Sequence, residues 1–193
     1  MPVRRNGGFT LLELMVAVGI FLLLTALAVP SFQTYFEKAR VRGAADGVVA
    51  MIANARQAAV KFDRNVSVAT TGSGATWCLG AREAAVPAAG DQAAAAADCD
   101  CSAASPTTCM VDGQEQLVGS SAYPGISLSS PASSLTFDGR LGMRSDADTG
   151  NADASSFDLT SSPGRYTLTV SVSPLGQATV CSKSGSILGY PSC

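Results

Sequence analysis

The chain has 193 residues, 47% of them hydrophobic, with a formal charge of −2 and no histidine. That length suits one domain plus an appendage. The absence of histidine removes the commonest general base and metal ligand, and an acidic balance argues against a polyanionic partner.

Taken in order, the chain opens on Arg4, Arg5, Gly7 and Gly8, then runs from Phe9 to Val29 with one charge, Glu13, in twenty-one residues. At about 1.5 Å per residue that run makes a helix of roughly 30 Å, the thickness of one bilayer core. Arginines in front of an apolar helix hold that end on the cytoplasmic side. A carboxylate inside such a helix is costly in lipid and calls for a partner. A secretory signal peptide is the simpler alternative, but Ala26-Leu27-Ala28 offers only a weak A-x-A-like cleavage site, and the glycines lie before the apolar core.

The short basic leader Met1 to Gly8, Phe9, the block Thr10-Leu11-Leu12-Glu13-Leu14 and the later Pro30 together resemble the type IV prepilin signature. The resemblance implies that a membrane peptidase cuts between Gly8 and Phe9 and then methylates the new N-terminus at Phe9. Cleavage leaves a cationic terminus among apolar helices, and such a charge needs a counter-charge. Glu13 lies one helical turn on and can meet its own terminus or a neighbour's. The family implies the neighbour, with Glu13 setting axial register during assembly. Removal of Arg4 and Arg5 leaves 11 basic and 15 acidic residues, a mature charge of −4.

Pro30 removes one backbone bond and is expected to kink or loosen the helix there. Residues 31–64 continue as an amphipathic helix. Ala45, Val48, Val49, Ile52, Ala55, Ala59 and Val60 recur at helical spacing and should lie on a sheet. Lys38, Arg40, Arg42, Arg56, Lys61 and Arg64 read as a solvated face, or as a contact for head groups or neighbouring subunits near the membrane.

Residues 65–80 read as two strands joined at Thr71-Gly72-Ser73-Gly74, with Trp77, the only tryptophan, as core. Residues 81–108 read as an insertion containing the alanine run 93–97. From Ile126 onward strands and turns alternate. Leu135-Thr136-Phe137 enters a hairpin-type turn at Asp138-Gly139 that returns through Leu141 and Met143, Phe157 and Leu159 alternate, and Tyr166 to Val172 turns at Pro174-Leu175-Gly176 into Ala178 to Cys181. The expected fold class is α+β: a pilin-like long N-terminal helix, its hydrophobic half protruding, packed on an antiparallel β-sheet head with disulfides. The expected parts are a leader 1–8, a membrane and filament-core helix 9–30, an amphipathic helix 31–64 and a β-rich exported head 65–193.

The blocks Leu135-Thr136-Phe137-Asp138-Gly139-Arg140 and Val172-Ser173-Pro174-Leu175-Gly176-Gln177, with Cys181 and the closing Gly189-Tyr190-Pro191-Ser192-Cys193, resemble the GspH/FimT-type minor pilins and pseudopilins. That resemblance implies a minor pilin that primes type IV pilus assembly or sits near the tip, serving twitching, adhesion or DNA uptake. A minor pseudopilin of a type II secretion system is its close variant, and a DNA receptor of a competence pilus the third possibility. Some FimT-type proteins use arginines of the last hairpin for DNA. Here that position reads Gly176-Gln177-Ala178-Thr179, with no basic residue until Lys183, so nucleic acid is not expected as a partner. The implied partners are other pilins through the N-terminal helix, the prepilin peptidase, and the inner membrane before assembly. The implied location is a single-pass inner-membrane protein with a periplasmic head, extracellular once assembled.

Six cysteines, Cys78, Cys99, Cys101, Cys109, Cys181 and Cys193, all fall in the part expected to be exported, where an even count reads as disulfides. Cys181 with Cys193 is the favoured pair, because glycines and a proline let the segment between them turn back. An adjacent-but-one bond between Cys99 and Cys101 is strained, so one of them is expected to meet Cys78 and the other Cys109. No nucleophile–base set, phosphate loop or cofactor motif can be assembled, so an enzyme is not expected. Asp146, Asp148, Asn151 and Asp153 gather oxygen ligands suited to calcium, yet the spacing is not that of an EF-hand, and an acidic solvated hairpin tip is the simpler reading.

Overall fold

The computed structural model describes residues 8–84, 99–103, 108–130, 134–144 and 155–193, apart from the side chains of 27–31. The leader up to Gly7 and the acidic stretch 146–153 therefore lie outside the described residues, as does the alanine run 93–97. The chain divides into two units, Met1–Phe36 and Glu37–Cys193.

One helix, α1 (Leu11–Phe62), of 52 residues, opens the described chain. It runs without interruption through Gly19 and Pro30. A proline removes only its own N–H from the ladder, and a long apolar helix of leucines and alanines carries the remaining bonds across. The helix closes where Asp63 takes a left-handed conformation (φ 50°) and the Arg64 N–H reaches back to the Ala59 carbonyl at 3.1 Å. This is the C-terminal closure in which a residue past the end turns the chain and satisfies an orphan carbonyl.

In the second unit the helix buries Val41, Ala44, Ala45, Val48, Met51, Ile52, Ala55 and Ala59. The stripe is thus longer than the sequence suggested at its start and narrower at its end: Val60 is 48% exposed, because one step past Ala59 rotates the side chain about 100° off the buried face. The head carries two four-stranded antiparallel sheets. The first has the order β5-β2-β1-β7, from β1 (Val66–Ser73), β2 (Thr76–Glu83), β5 (Leu117–Gly119) and β7 (Ser134–Phe137). The second has the order β10-β9-β8-β6, from β6 (Ile126–Ser129), β8 (Ser156–Ser161), β9 (Thr167–Val172) and β10 (Ala178–Ser184). A small hairpin pairs β3 (Met110–Val111) with β4 (Gln114–Glu115). The sheets meet where Gly74, at the tip of the β1–β2 hairpin, exchanges hydrogen bonds with Leu128.

Val66, Val68, Leu79, Leu135, Phe137, Leu159, Leu168 and Val170 join the helix stripe in one core, with Ile187 from the C-terminal loop. Trp77 is 3% exposed and donates its ring N–H to the Ile126 carbonyl at 2.9 Å, the partner a buried indole requires. The fold is α+β, a helix packed on antiparallel sheets with disulfides.

Three local expectations are corrected. Ala81, taken as the start of an insertion, lies inside β2, which pairs with β1 as far as Glu83. The turn after Phe137 is a six-residue loop rather than a two-residue hairpin, and Arg144 closes it by bridging to Phe137. The basic side of α1 is not simply a solvated face: loops of the head fold over it and present carbonyls and carboxylates. Arg42 donates to the Leu188 carbonyl at 2.7 Å and Arg56 to that of Gly142 at 3.0 Å. Arg64 pairs with Glu83 at 3.4 Å, and Lys38 sits 5.0 Å from the centre of the Tyr166 ring.

Candidate functional site

The residues expected to undergo processing begin the described chain. Gly8, Phe9 and Thr10 are outside the helix and exposed, and Phe9 is 81% exposed. Thr10 stands at the N-cap of α1. Its hydroxyl oxygen accepts from the Glu13 N–H at 3.2 Å, and its carbonyl accepts the first helical bond, from the Leu14 N–H, at 3.2 Å. Glu13 is therefore the third residue of the helix, where a carboxylate also complements the positive end of the helix dipole. Sequence reasoning missed the cap although its signal was there: threonine followed three residues later by glutamate, ahead of an apolar run, is the capping-box pattern.

From Leu11 to Leu24 each leucine, valine, isoleucine, methionine and phenylalanine of α1 is exposed. Among the described residues no helix is long and apolar enough to cross a membrane. The described side chains of this stretch end at Ala26, short of the roughly 20 residues that a span requires.

In the head the structure pairs Cys181 with Cys193, Cys78 with Cys101, and Cys99 with Cys109. The last four cysteines form a buried cluster beside β2. Gly80 makes room for it: a Cβ there would stand 2.4 Å from the Cys109 sulfur and 2.8 Å from that of Cys99. The Cys181–Cys193 bond closes the C-terminal loop beside β10, with Cys193 N–H donating to the Ser182 carbonyl at 3.2 Å. This loop carries Ile187 into the core and lays Tyr190 against α1, its hydroxyl 3.4 Å from Asp46. Burial first, and then the Asp46 carboxylate, push the Tyr190 phenol above its ordinary value.

The loop 138–143, part of the block that resembles the minor pilins, is organised by Asp138. Its carboxylate accepts from the backbone N–H groups of Arg140 (2.9 Å), Leu141 (2.8 Å) and Met143 (2.9 Å). Burial pushes that carboxyl up, but the backbone donors of Leu141, Met143 and Arg140, with the Arg140 charge, outweigh it and hold it below the usual value. Gly139 lets the loop lie against the helix exit, since a Cβ there would meet the Arg64 nitrogen at 2.4 Å. Arg144 is 6% exposed and donates to Ser155 and to the Val172 carbonyl at 3.0 Å.

The β9–β10 turn brings no cation forward. Ser173 and Gln177 close it by backbone bonds, and the first basic residue beyond it, Lys183, pairs with Asp158 at 2.6 Å. A groove between the end of α1 and β3–β4 is lined by Asn54, Gln57, Lys61, Asp112, Gln114 and Gln116, amides and one ion pair. Among the described residues no cluster of carboxylates and cysteines is arranged to hold a metal ion, and the calcium candidate Asp146, Asp148, Asn151 and Asp153 lies outside them.

Two family models match. Residues 3–29 match the prokaryotic N-terminal methylation motif, and residues 44–176 match the type II transport protein GspH. Prepilin peptidase-dependent protein D of Escherichia coli (strain K12) is 53% identical over 35 residues, 18% of this chain and 24% of that protein. A fimbrial protein of Pseudomonas aeruginosa is 40% identical over 68 residues, 35% of this chain and 44% of that protein. The chain spans less than half the length of the curated relatives it matches. No solved structure matches.

Proposed function

The chain belongs to the family of the type II transport protein GspH and carries the prepilin methylation motif, and on that premise we propose that it is a minor subunit of a type IV pilus that primes assembly or sits near the tip. The supporting observation is the run of exposed apolar side chains from Leu11 to Leu24 with one carboxylate, Glu13, in the first helical turn. A surface of that kind is buried by lipid before assembly and by other subunits' helices afterwards. In this reading the peptidase removes residues 1–8 and methylates Phe9, and residues 9–30 hold the subunit in the inner membrane. The residues from 65 onward face the periplasm and later the outside of the filament. Glu13 compensates the cationic N-terminus of a neighbour, and Pro30 loosens the helix so that it moves more easily from bilayer to filament packing.

Glu13→Val tests it. The variant should insert in the membrane as well as the wild type or better, since a charge has gone from the apolar run. An uncompensated buried ammonium costs about 3–5 kcal/mol, so incorporation into sheared filaments should fall by about a hundredfold or more. Wild-type incorporation would remove Glu13 from that role. Intact mass of protein from membranes checks the processing: it should correspond to a chain starting at methylated Phe9.

A second reading, a minor pseudopilin of a type II secretion system, draws support from the match of 44–176 to a type II transport protein. Deletion of the gene separates the two. Loss of surface filaments with secretion intact favours the pilus, and loss of secreted enzymes with filaments intact favours the pseudopilus.

A further inference from the structure

The start of α1 lies two residues past the bond that processing would break. Cleavage adds water across the Gly8–Phe9 amide, leaving a carboxylate on Gly8 and an amine on Phe9. A hydrolase must reach that carbonyl carbon from one side. In a helix the carbonyl oxygen is held by the N–H four residues on and the bond is wrapped by side chains. Extended backbone leaves it open.

What keeps the bond outside the helix is local. Gly8, Phe9 and Thr10 are non-helical, and the Thr10 hydroxyl accepts the Glu13 N–H at 3.2 Å. An N-cap residue has non-helical backbone angles by definition, so the cap defines where the helix stops. Phe9 and Leu14 stand at the two positions of a hydrophobic staple, before the cap and four residues into the helix. In the hydrocarbon region, where no water replaces the missing partner, the free N–H groups of a first turn are especially costly. An uncapped helix lowers that cost by growing upstream toward water, and the next residues upstream are Phe9 and Gly8. Glycine resists this by only about 1 kcal/mol per residue, so Gly7 and Gly8 alone are a weak stop.

We propose that Thr10 is a positioning residue for processing: its hydroxyl ends the helix just after Phe9 and so presents the Gly8–Phe9 bond to the peptidase in extended form. The proposal rests on the processing reading above and adds a reason for the residue that follows the new N-terminus.

The test uses the full-length chain in inner-membrane vesicles with the prepilin peptidase, following leader loss over time by mass. Thr10→Val keeps the shape and removes the capping oxygen, and it should be cut about fivefold more slowly. Thr10→Ser, Thr10→Asn and Thr10→Asp all restore a capping oxygen and should be cut within about twofold of wild type, although their shapes differ. Carbonate extraction should show equal membrane integration throughout. Cleavage of Thr10→Val at the wild-type rate overturns the proposal. So does slow cleavage of the serine, asparagine and aspartate variants alike, since the peptidase would then be reading threonine itself. An uncut wild type overturns the processing reading instead, and the proposal with it.

Discussion

The two units of this chain use the same kinds of residue to opposite ends. In the helical part of the first, Leu22 is 61% exposed and Phe21 66%. In the second, Ile52, Leu79, Leu159 and Phe137 are fully buried. The first has one charge in its apolar run, and nothing within the described chain covers its side chains. The second draws three of its arginines onto its own backbone, with Arg42 on the Leu188 carbonyl, Arg56 on the Gly142 carbonyl and Arg144 on that of Val172. The lesson is that a hydrophobic sequence does not by itself mean a core. The helical unit has a surface suited to lipid and other helices, and the head has an interior of its own.

The sharpest way to break that contrast is to remove the same volume from each unit. Ile52→Ala leaves a cavity in a closed core and should destabilise the head by about 2–5 kcal/mol. Leu22→Ala should leave the head's melting temperature unchanged and show its effect only in assembly. Thermal unfolding of the detergent-solubilised chain, read from Trp77 fluorescence, measures both. A comparable drop in the two variants would mean that Leu22 is part of the head's stability after all.

A somewhat smaller effect should come from the cross-links, which only the head has. Cys181→Ser with Cys193→Ser opens a loop of 12 residues in sequence separation and should cost about 2–4 kcal/mol. Ile187 and the Tyr190–Asp46 contact lie on the freed segment, so protease cleavage after Leu188 should rise sharply. Nonreducing peptide mapping checks the pairing itself. A Cys193 linked to any cysteine upstream of Cys181 would contradict the closed loop described here.

How far the contrast was legible in the sequence depends on the length scale of each signal. The apolar run 9–29, the helical stripe around Val48 and Ile52, and the alternation of Phe157 and Leu159 repeat often enough to be seen, and they carry the α+β class. Strands β3, β4 and β5 have two or three residues each; no periodicity exists at that length, and only pairing with β2 or with each other makes them strands. Val60 was misplaced because a stripe's edge depends on what it packs against. The burial of Arg144 has no local signal, since composition counts a charge without showing that Ser155 and a strand carbonyl meet it. At the N-terminus Thr10 and Glu13 carry the capping-box spacing in the sequence itself, and the same glutamate doubles as the one charge of an apolar run.

The smallest effect concerns a loop that the head stabilises by itself, with no partner and no cross-link. Asp138 gathers three backbone N–H groups, and its carboxyl is held below the ordinary value because those donors outweigh burial. In the unfolded chain the same group titrates near about 3.9. A folded value below the unfolded one means that the unfolded state takes up the proton more readily, so the stabilisation is fully present above the unfolded value and is lost as pH falls through the folded one. Asp138→Asn keeps the shape but replaces one acceptor oxygen with an amide group, and should cost about 1 kcal/mol at neutral pH, as losing a helix cap does. The gap in stability between wild type and variant should stay constant from about pH 7 to 5 and narrow progressively below about pH 4. Urea unfolding across that range reads it. A gap that persists unchanged into acid would mean that Asp138 acts through shape alone, and the loop's self-sufficiency would have to come from Gly139 and the Asn65 side chain that accepts its N–H at 3.1 Å.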